Sequence, residues 1–572
     1  MRFKSTTTNG YTVYAVTGVN TISFAIDFEK ANTSGLLGFA IERNDLATNE
    51  RKFLTGFKVF QHLIPNPTAD TTVSTLEHPM QSFVWEDMSL QPDQSYEYFF
   101  YPMTGTVGAL QKGRPIKIAV TMEPLFSNKE HDVFFNRGTA SSRAYSAKFG
   151  KVHPLAMKEP KKSEGLAWLS RDLSAAIFKF IGQAKKGDAL RCCFYEFSYV
   201  PVLQALKKAI EDGVDVQIIL DMKESEKPPS QPRDESLEAI HKAGFPMQNI
   251  LERTANPKEI QHNKFMVFIE GGKTPKAVWT GSTNITFAGI HGHSNVGHWV
   301  RNENVAAKYM EYWALLKTNP GGLATDSDAV QKQKHQAYQK AIDQIQPAIK
   351  PSDMAKIPVG TTAFFSPMSD LTALKLYAEL LDKAKTLSCI TLPFGINKTL
   401  TDPFLDNTDK SQLVFMMFDT EPKDLILNEK HHVFVTWGVD TDSVVTETTG
   451  RTRLNSNVEF LHTKILLMDP LSADPIVVSG SSNYTNKSTV NNDENMLVMR
   501  GDKRVADIYL TEFNRLFHQF HQAAVLKGMK DEEKKAGVAD SMFLQETDGW
   551  LKKYEVGTLK YKRVKSFTGM TL

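Results

Sequence analysis

The chain has 572 residues, which is more than a single hydrophobic core usually accommodates, and this length predicts two or three domains. Its 67 Lys and Arg residues nearly balance its 65 Asp and Glu residues, and the net charge of +2 excludes a globally basic nucleic-acid-binding protein, although it allows a local basic groove. The 3 cysteines, two of them adjacent at Cys192 and Cys193, exclude a disulfide framework and a Cys-x-x-Cys zinc site.

The N-terminal segment MRFKSTTTNGYTVYAV carries no apolar core of a secretion signal. No stretch of the chain reaches about 18 uninterrupted apolar residues, the length that a membrane-spanning helix needs. The cysteine usage suits a reducing compartment. We therefore expect a cytoplasmic protein without a transmembrane segment, while export by a leaderless route stays compatible with the sequence.

Residues 1–125 consist of short β-rich runs, such as YTVYAV and IKIAVTMEP, separated by turns rich in Asn, Gly, Asp and Pro. This pattern predicts an antiparallel β-sandwich of the immunoglobulin or fibronectin kind. The segment from Trp85 to Gly105 resembles the Leu-x-Pro-x-x-x-Tyr-x-Tyr corner of fibronectin type III domains. Such a module either binds a protein partner or the substrate, or serves as a scaffold for the remaining chain.

The rest of the chain repeats itself, with His262 and Tyr309 in one copy and His462 and Tyr509 in the other, each pair 200 residues apart. Each copy reads as alternating strands and helices that end in an amphipathic helix, which predicts an α/β sandwich with a mostly internal sheet. We expect the copies to occupy residues 126–345 and 346–572, with a linker or loop around residues 148–166 and a basic tail at the end of the second copy.

The two copies share a pair of motifs. His-x-Lys enters an apolar strand, and a Gly-Ser-x-Asn turn follows it: His262, Lys264, Ser282 and Asn284 in the first copy, and His462, Lys464, Ser481 and Asn483 in the second. Because side chains alternate along a strand, the His and the Lys point to the same face. The turn adds a hydroxyl and an amide that suit phosphate oxygens.

A doubled set of histidine, lysine and amide side chains is what phosphodiester cleavage through a covalent phosphohistidine needs. One histidine attacks phosphorus, the other protonates the leaving oxygen, and the lysines and Asn amides hold the phosphate charge. The residues alone leave the roles of the two histidines exchangeable.

These motifs resemble the signature of the phospholipase D superfamily, in which His-x-Lys-x4-Asp and then Gly-Ser-x-Asn occur twice per active site. The resemblance covers about residues 160–525. The second copy fits the whole signature, including Asp469, whereas the first has Ile269 at the position of the Asp and Glu270 after it. The resemblance implies two pseudo-symmetric α/β sandwich halves and one site at their interface, without a metal or cofactor.

The resemblance also implies roles. His262 is the expected nucleophile, and His462 the general acid that later activates water or an alcohol. Glu494 is the carboxylate that orients a histidine and fixes its tautomer, and Asn295 is its counterpart in the first half. The residues expected to neutralise the charge of the phosphoryl group are Lys264, Lys464, Asn284 and Asn483. Those expected to bind the substrate are Ser282, Ser481 and Asp469, although the family's Asp is thought to be structural.

Two other features have simpler interpretations. His291, His293 and His298 form a group after the first Gly-Ser-x-Asn, but no carboxylate or Cys partner is evident in the sequence, so a polar loop at the mouth of the site is favoured over a metal centre. The basic tail, with Tyr554 and Tyr561 among its lysines, is either solvated surface or a contact for substrate or an anionic surface.

Two substrate classes share this catalytic set, nucleic acids and phospholipids. The segment GSSNYTNKSTVNNDENMLVM is similar to the Gly-Ser-x-Asn-x-Thr…Asn-Asp-Glu-Asn pattern of the bacterial nuclease branch, and Thr286 gives the first half the same Asn-x-Thr. The sequence therefore favours a metal-independent nuclease, with a phospholipase or phosphatidyltransferase as the alternative. A third possibility is a non-catalytic binding protein, which Ile269 and Asn295 favour slightly.

Overall fold

The computed structural model describes residues 1–68, 71–138, 145, 148–150, 152–224, 230–405, 412–423, 425, 427, 429–438, 460–528 and 542–572. Nine of its first 12 strands form two main sheets, of order β1-β2-β3-β9 and β11-β10-β4-β5 with β12 paired to β10, whereas β6 pairs with β8 and β7 pairs with a strand near the end of the chain. These strands are β1 (Arg2–Lys4), β2 (Tyr11–Thr17), β3 (Ile22–Phe28), β4 (Gly38–Asp45), β5 (Glu50–Phe53), β6 (Thr55–Gly56), β7 (Val59–Phe60), β8 (Val73–Ser74), β9 (Val84–Asp87), β10 (Ser95–Thr106), β11 (Ala109–Lys112) and β12 (Ile116–Thr121).

The Leu-x-Pro-x-x-x-Tyr-x-Tyr segment of this all-β region forms a local corner. The backbone N–H of Gln91 donates to the hydroxyl of Tyr96 at 3.1 Å, and that hydroxyl donates to Gln94 Oε1 at 3.0 Å. A tyrosine hydroxyl bonded to backbone a few residues upstream is a feature of immunoglobulin-like sandwiches. The relation to fibronectin type III domains itself stays a prediction.

Two seven-stranded mixed sheets follow. The first has the order β13-β19-β18-β17-β14-β15-β16, and the second has the matching order β20-β26-β25-β24-β21-β22-β23. Their strands are β13 (His131–Phe135), β14 (Ala189–Phe194), β15 (Asp215–Asp221), β16 (Ile250–Arg253), β17 (Lys264–Glu270), β18 (Thr274–Gly281), β19 (Val296–Val300), β20 (Gly360–Ser366), β21 (Leu387–Leu392), β22 (Leu413–Phe418), β23 (Val433–Trp437), β24 (Ile465–Met468), β25 (Ile476–Gly480) and β26 (Glu494–Arg500). The equal orders confirm the predicted fold class of two pseudo-symmetric α/β halves after an all-β segment.

The α-helices of the described chain include two, Glu303–Lys317 and Lys503–Gly528, whose buried side chains belong to the core that the two sheets share. The helices are α1 (Lys161–Ser170), α2 (Leu173–Gly182), α3 (Val200–Glu211), α4 (Arg233–Ala243), α5 (Glu303–Lys317), α6 (Asp328–Ile345), α7 (Thr372–Asp382), α8 (Lys398–Thr401), α9 (Asn486–Val490), α10 (Lys503–Gly528) and α11 (Leu559–Thr568). None of these helices has the length and apolar character that crossing a membrane demands.

The sheets share one hydrophobic core. On β17, Phe265 and Val267 face a core that also contains Ile465 and Leu467 of β24, whereas Met266 packs under the helices of the first half. This alternation follows from the two-residue period of a strand that is buried on both faces. The two His-x-Lys strands therefore lie in the interior of one body, with their beginnings near the junction of the halves.

The end of the chain packs against its beginning. Strand β27 (Phe543–Leu544) pairs in parallel with β7, and Trp550 and Tyr554 belong to the hydrophobic core of the β-sandwich. The indole Nε1 of Trp550 donates to the backbone oxygen of Leu36 at 2.8 Å. Residues 542–572 thus connect the second half to the sandwich.

Part of the basic tail is used inside the molecule. Arg563 pairs with Glu86 at 3.4 Å, and Lys565 pairs with Asp27 at 2.6 Å. These pairs favour a structural contact over the predicted substrate contact for these two side chains. The predicted linker around residues 148–166 also differs from expectation, because helix α1 begins at Lys161 and buries Leu169; Lys151 lies outside the described residues.

Candidate active site

The two His-x-Lys motifs meet where β17 and β24 begin. The rings of His262 and His462 lie 6.4 Å apart between centroids, at an interplanar angle of 78°. Both imidazoles are 4% exposed, and Lys264 and Lys464 are 2% and 0% exposed. The site is therefore narrow and largely desolvated, so that a bound anion interacts strongly with the charges around it.

The halves exchange backbone hydrogen bonds at this point. The N–H of His262 donates to the backbone oxygen of Asp493 at 2.9 Å, and the N–H of His462 donates to that of Ser294 at 3.1 Å. Each bond crosses from the start of a His-x-Lys strand in one half to the segment before β19 or β26 in the other. The pseudo-twofold relation of the halves therefore extends to the backbone of the site.

The orienting side chains cross over in the same way. Nδ1 of His262 donates to Glu494 Oε2 at 2.9 Å, and Nδ1 of His462 donates to Asn295 Oδ1 at 2.9 Å. Because a carboxylate only accepts hydrogen bonds, Nδ1 of His262 carries the proton and Nε2 keeps its lone pair. The motifs did not indicate which histidine Glu494 contacts, since its partner comes from the other half.

The two motif serines hold these orienting residues. Ser481 Oγ donates to Glu494 Oε2 at 2.6 Å, and Ser282 Oγ donates to Asn295 Oδ1 at 2.8 Å. Both hydroxyls are fully buried. The hydroxyl donors of Ser282 and Ser481 thus position Glu494 and Asn295, and the expected binding of substrate by these serines stays a prediction.

Asp469 is also a structural residue. Its carboxylate accepts hydrogen bonds at 2.8 Å from the backbone N–H groups of Lys385 and Thr386. It follows the last residue of β24, roughly five residues or about 16 Å along the strand from Lys464. These contacts give Asp469 a structural role at the end of the strand, and its expected substrate-binding role stays a prediction.

In the first half, a different carboxylate, that of Asp188, holds the corresponding turn. Asp188 accepts from the N–H groups of Lys185 and Gly271, both at 2.8 Å, at the corresponding edge of the first sheet. A carboxylate from the loop replaces the one missing at Ile269. The ends of these strands therefore stay linked by hydrogen bonds, although the first motif lacks the Asp of the full signature.

The two lysines repel each other across the site. Burial lowers the pKa of Lys264 to about 8, and the carboxylates of Glu494 and Glu196 oppose this effect. Burial and the neighbouring Lys264 lower the pKa of Lys464 well below its usual range. Each Lys Nζ also donates to the backbone oxygen of the histidine two residues before it. An anionic phosphoryl group between the lysines stabilises their charged forms.

Both histidines favour their neutral forms in this environment. Burial lowers the pKa of His262 to about 4, against the opposing effect of Glu494. Burial and Lys464 lower the pKa of His462 well below its usual range. A neutral His262 suits a nucleophile, and a nearby phosphodiester anion raises the pKa of His462 toward that of a proton donor.

The motif amides border the same space. Asn284 Oδ1 and Asn483 Oδ1 are buried, and neither atom has a hydrogen-bond partner among the residues that the structure describes. The Asn284 side chain hydrogen-bonds Glu196. The two histidines, the two lysines, Glu494 and Asn284 therefore lie close together at the interface of the halves.

Several residues of the site had no signal in the motifs. The ring of Tyr195 lies 5.2 Å from that of His262, and the ring of His293 lies 4.8 Å from that of His462. Glu196 follows Tyr195 directly. Alignment of the two copies by strand register would have placed 195 and 196 at the site, because they follow β14, the neighbour of the His-x-Lys strand.

The three histidines expected at the mouth lie in separate surroundings. His291 Nε2 bonds Tyr199 at 3.1 Å, and His298 bonds His131 at 2.9 Å and Tyr509 at 3.1 Å. Only His293 approaches a motif histidine. All three side chains are buried, and these contacts give each of them a packing or hydrogen-bonding role.

Residues 177–316 and 378–517 each match the family model described as "Cardiolipin synthase, PLD-like domain". No curated protein sequence matches the chain significantly. Among solved structures, a phosphatidylserine synthase from Haemophilus influenzae is 11% identical, with 66% of this chain and 94% of that chain covered and a TM-score of 0.44. Nuc, a phospholipase D family member from Salmonella typhimurium, is 26% identical, with coverages of 25% and 84% and a TM-score of 0.20. A yeast tyrosyl-DNA phosphodiesterase is 11% identical, with coverages of 57% and 86% and a TM-score of 0.29.

Proposed function

Since its two matched halves belong to the phospholipase D superfamily, we propose that this chain cleaves phosphodiesters through a covalent phosphohistidine on His262. The observation that carries the proposal is the unequal orientation of two facing histidines. Nδ1 of His262 donates to a carboxylate, Glu494, whereas Nδ1 of His462 donates to an amide, Asn295. A carboxylate stabilises the positive charge that the attacking imidazole acquires, and an amide does so less.

In the first step, Nε2 of His262 attacks phosphorus, and the bond from phosphorus to the leaving oxygen breaks. Protonated His462 gives its proton to that oxygen. Lys264, Lys464 and the Asn284 and Asn483 amides stabilise the charge on the equatorial oxygens. In the second step, His462 takes a proton from water or an alcohol, whose oxygen attacks phosphorus while the bond to His262 breaks. Water gives hydrolysis, and an alcohol gives transfer.

Nucleic acid is the proposed substrate. The Asn-x-Thr continuation of both Gly-Ser-x-Asn turns, at Thr286 and Thr485, supports this choice, and the narrow site suits a single strand better than a duplex. We further propose that the reaction is hydrolytic, that the protein works in the cytoplasm, and that residues 1–125 form a separate domain that binds a protein partner or the substrate.

A phospholipid is the second candidate, because the family model that matches both halves carries the description of a cardiolipin synthase. In that case transfer to an alcohol is the expected reaction. The two candidates need the same groups on the protein, so a direct comparison of substrates separates them.

The experiment incubates the protein with single-stranded DNA, RNA, plasmid and phospholipid vesicles, each in excess EDTA. Nucleic acid cleavage that survives EDTA and is lost in His262→Ala supports the proposal. Release of a lipid headgroup with intact nucleic acid supports the second candidate. No turnover of any phosphodiester, with binding retained, would assign the chain to a non-catalytic role.

A further inference from the structure

We propose that Glu196 is a specificity-determining residue that accepts a hydrogen bond from a hydroxyl group beside the scissile ester oxygen, the 2′-hydroxyl of a ribonucleotide. The site then prefers RNA to DNA. This inference rests on the proposed cleavage of nucleic acid and names the substrate class within it.

The strand register places Glu196 next to the His-x-Lys motif of the first half. Phe194, the last residue of β14, lies opposite Lys264 on β17, and the N–H of Tyr195 donates to the backbone oxygen of Asn263 at 2.9 Å. Glu196 is the next residue and is partly exposed. It therefore lies beside the His-x-Lys motif of the first half.

The contacts of Glu196 are those of a phosphate site. Burial raises the pKa of Glu196 to about 7, and this rise is opposed by Lys264, by a hydrogen bond from the Asn284 side chain and by Lys464. The mechanism does not use this carboxylate, because Glu494 already orients His262. A second carboxylate beside a site for an anion weakens phosphate binding unless the substrate offers it a donor.

The other half has no equivalent. On β21, Ile390 lies opposite Leu466, so that two residues further along the strand Leu392 aligns with Lys464. Phe394, which is 49% exposed, then occupies the register position that Glu196 has in the first half. The first half thus has a hydrogen-bond acceptor at this position and the second half an aromatic side chain, so the two halves differ here.

The charges favour a neutral donor over a cation. Lys264 and Lys464 already lie close enough to Glu196 to lower its pKa, and an ammonium group of the substrate would add a third basic group beside them. A hydroxyl supplies a hydrogen bond without changing this balance. The 2′-hydroxyl is the group that distinguishes RNA from DNA next to a phosphodiester.

The test compares a short single-stranded RNA with DNA of the same sequence and with 2′-O-methyl RNA, which keeps the 2′ oxygen but loses its proton. All reactions contain EDTA, and His262→Ala serves as the blank for contaminating ribonuclease. We expect kcat/KM for RNA to exceed the other two by about ten- to a hundredfold, since both analogues lose one hydrogen bond to a charged acceptor.

Variants of Glu196 test whether this side chain causes the preference for RNA over DNA. Glu196→Ala removes it, Glu196→Gln, which keeps an acceptor oxygen, retains part of it, and the matched control Glu211→Gln on the exposed face of α3 keeps the wild-type ratio. Equal rates on RNA and DNA in the wild type, or a preference that survives in Glu196→Ala, overturns the inference and leaves the proposed function intact.

Two further outcomes are distinct. Turnover of bis(p-nitrophenyl) phosphate without cleavage of any nucleic acid overturns the proposed substrate class and the inference together. Glu196-dependent turnover of phosphatidylethanolamine, without a preference for RNA, assigns the carboxylate to an amino alcohol and also overturns the inference.

Discussion

The carboxylate of Glu494 in the second half accepts a hydrogen bond from Nδ1 of His262 in the first half, at 2.9 Å. The pseudo-twofold-related hydrogen bond, from Nδ1 of His462 to Asn295, has the same length, but its acceptor is an amide oxygen in place of a carboxylate. The complete motif of the second half therefore supports the histidine of the incomplete one. This relationship is the physical basis for assigning different roles to two histidines in similar sequence contexts.

The assignment predicts opposite kinetics for the two alanine variants on bis(p-nitrophenyl) phosphate. The p-nitrophenolate ion leaves without needing a proton, so His462→Ala still forms the phosphohistidine but lacks the base that hydrolyses it. Stopped-flow absorbance should show a burst of about one equivalent, followed by slow turnover. His262→Ala should show no burst. A burst in His262→Ala instead would make His462 the nucleophile.

Replacing Glu494 by Gln tests the carboxylate alone. The variant preserves shape but cannot stabilise the imidazolium as a charge does, and we expect kcat to fall by about 10²- to 10⁴-fold with a smaller change in KM. Asn295→Asp is the matched control, because it adds a carboxylate at the pseudo-symmetric position and leaves Glu494–His262 intact. Equal losses in both variants would show that the two positions are equivalent.

The pH dependence of kcat/KM on bis(p-nitrophenyl) phosphate follows from the free protein. His262 must be neutral to attack, and burial lowers its pKa to about 4, so activity should rise with pH through that value. Lys264 must be charged to bind phosphate, and burial lowers its pKa to about 8, so activity should fall above that value. Because Glu196 raises the pKa of Lys264, Glu196→Gln should move the falling limb to lower pH. A limb that stays in place would contradict this coupling.

Arg253 holds the backbone that positions His262. Its Nε donates to Asp493 Oδ2 at 2.8 Å in a fully buried ion pair, and Tyr338 donates to Asp493 Oδ1 at 2.9 Å. Removal of one partner of such a pair costs about 3–5 kcal/mol, and loss of the tyrosine hydroxyl about 1.5–3 kcal/mol. We expect both Arg253→Met and Tyr338→Phe to lower the urea midpoint of unfolding, and Arg253→Met to lower it more.

The catalytic rate gives a second test of the contacts that Arg253 and Tyr338 make with Asp493. Since the Asp493 backbone oxygen accepts the N–H of His262, Tyr338→Phe should lower kcat more than it changes KM. The control is Arg191→Met, whose partner Asp215 is 58% exposed and whose loss should cost under about 1 kcal/mol. A Tyr338→Phe enzyme with wild-type kcat would limit this contact to stability.

The contact between the two ends of the chain should contribute strongly to stability. Trp550 is 2% exposed in the β-sandwich core and bonds the Leu36 backbone. We expect Trp550→Ala to lower the free energy of unfolding of the sandwich by about 3–5 kcal/mol, as a large core truncation does. Circular dichroism during urea unfolding measures it, and the exposed Lys552→Ala should stay within about 0.5 kcal/mol of wild type.

The sequence by itself determined the fold class and the motif residues, because both depend on local patterns. Strand and helix periodicity, together with the 200-residue repeat, predicted two α/β halves after an all-β segment. Identical motifs in both copies identified the histidines, lysines and amides that meet at the interface. The roles of these residues and the domain boundaries after residues 125 and 345 stay predictions.

Only the tertiary structure decided which residues contact each other across the halves. The pairing of Glu494 with His262 depends on a crossing between segments 232 residues apart, for which no local pattern exists. The same holds for the use of Ser282 and Ser481 as supports, and for Glu196 beside the first His-x-Lys motif. A short motif specifies which groups are available, whereas the packing of two sheets about a pseudo-twofold axis decides which proton each group shares.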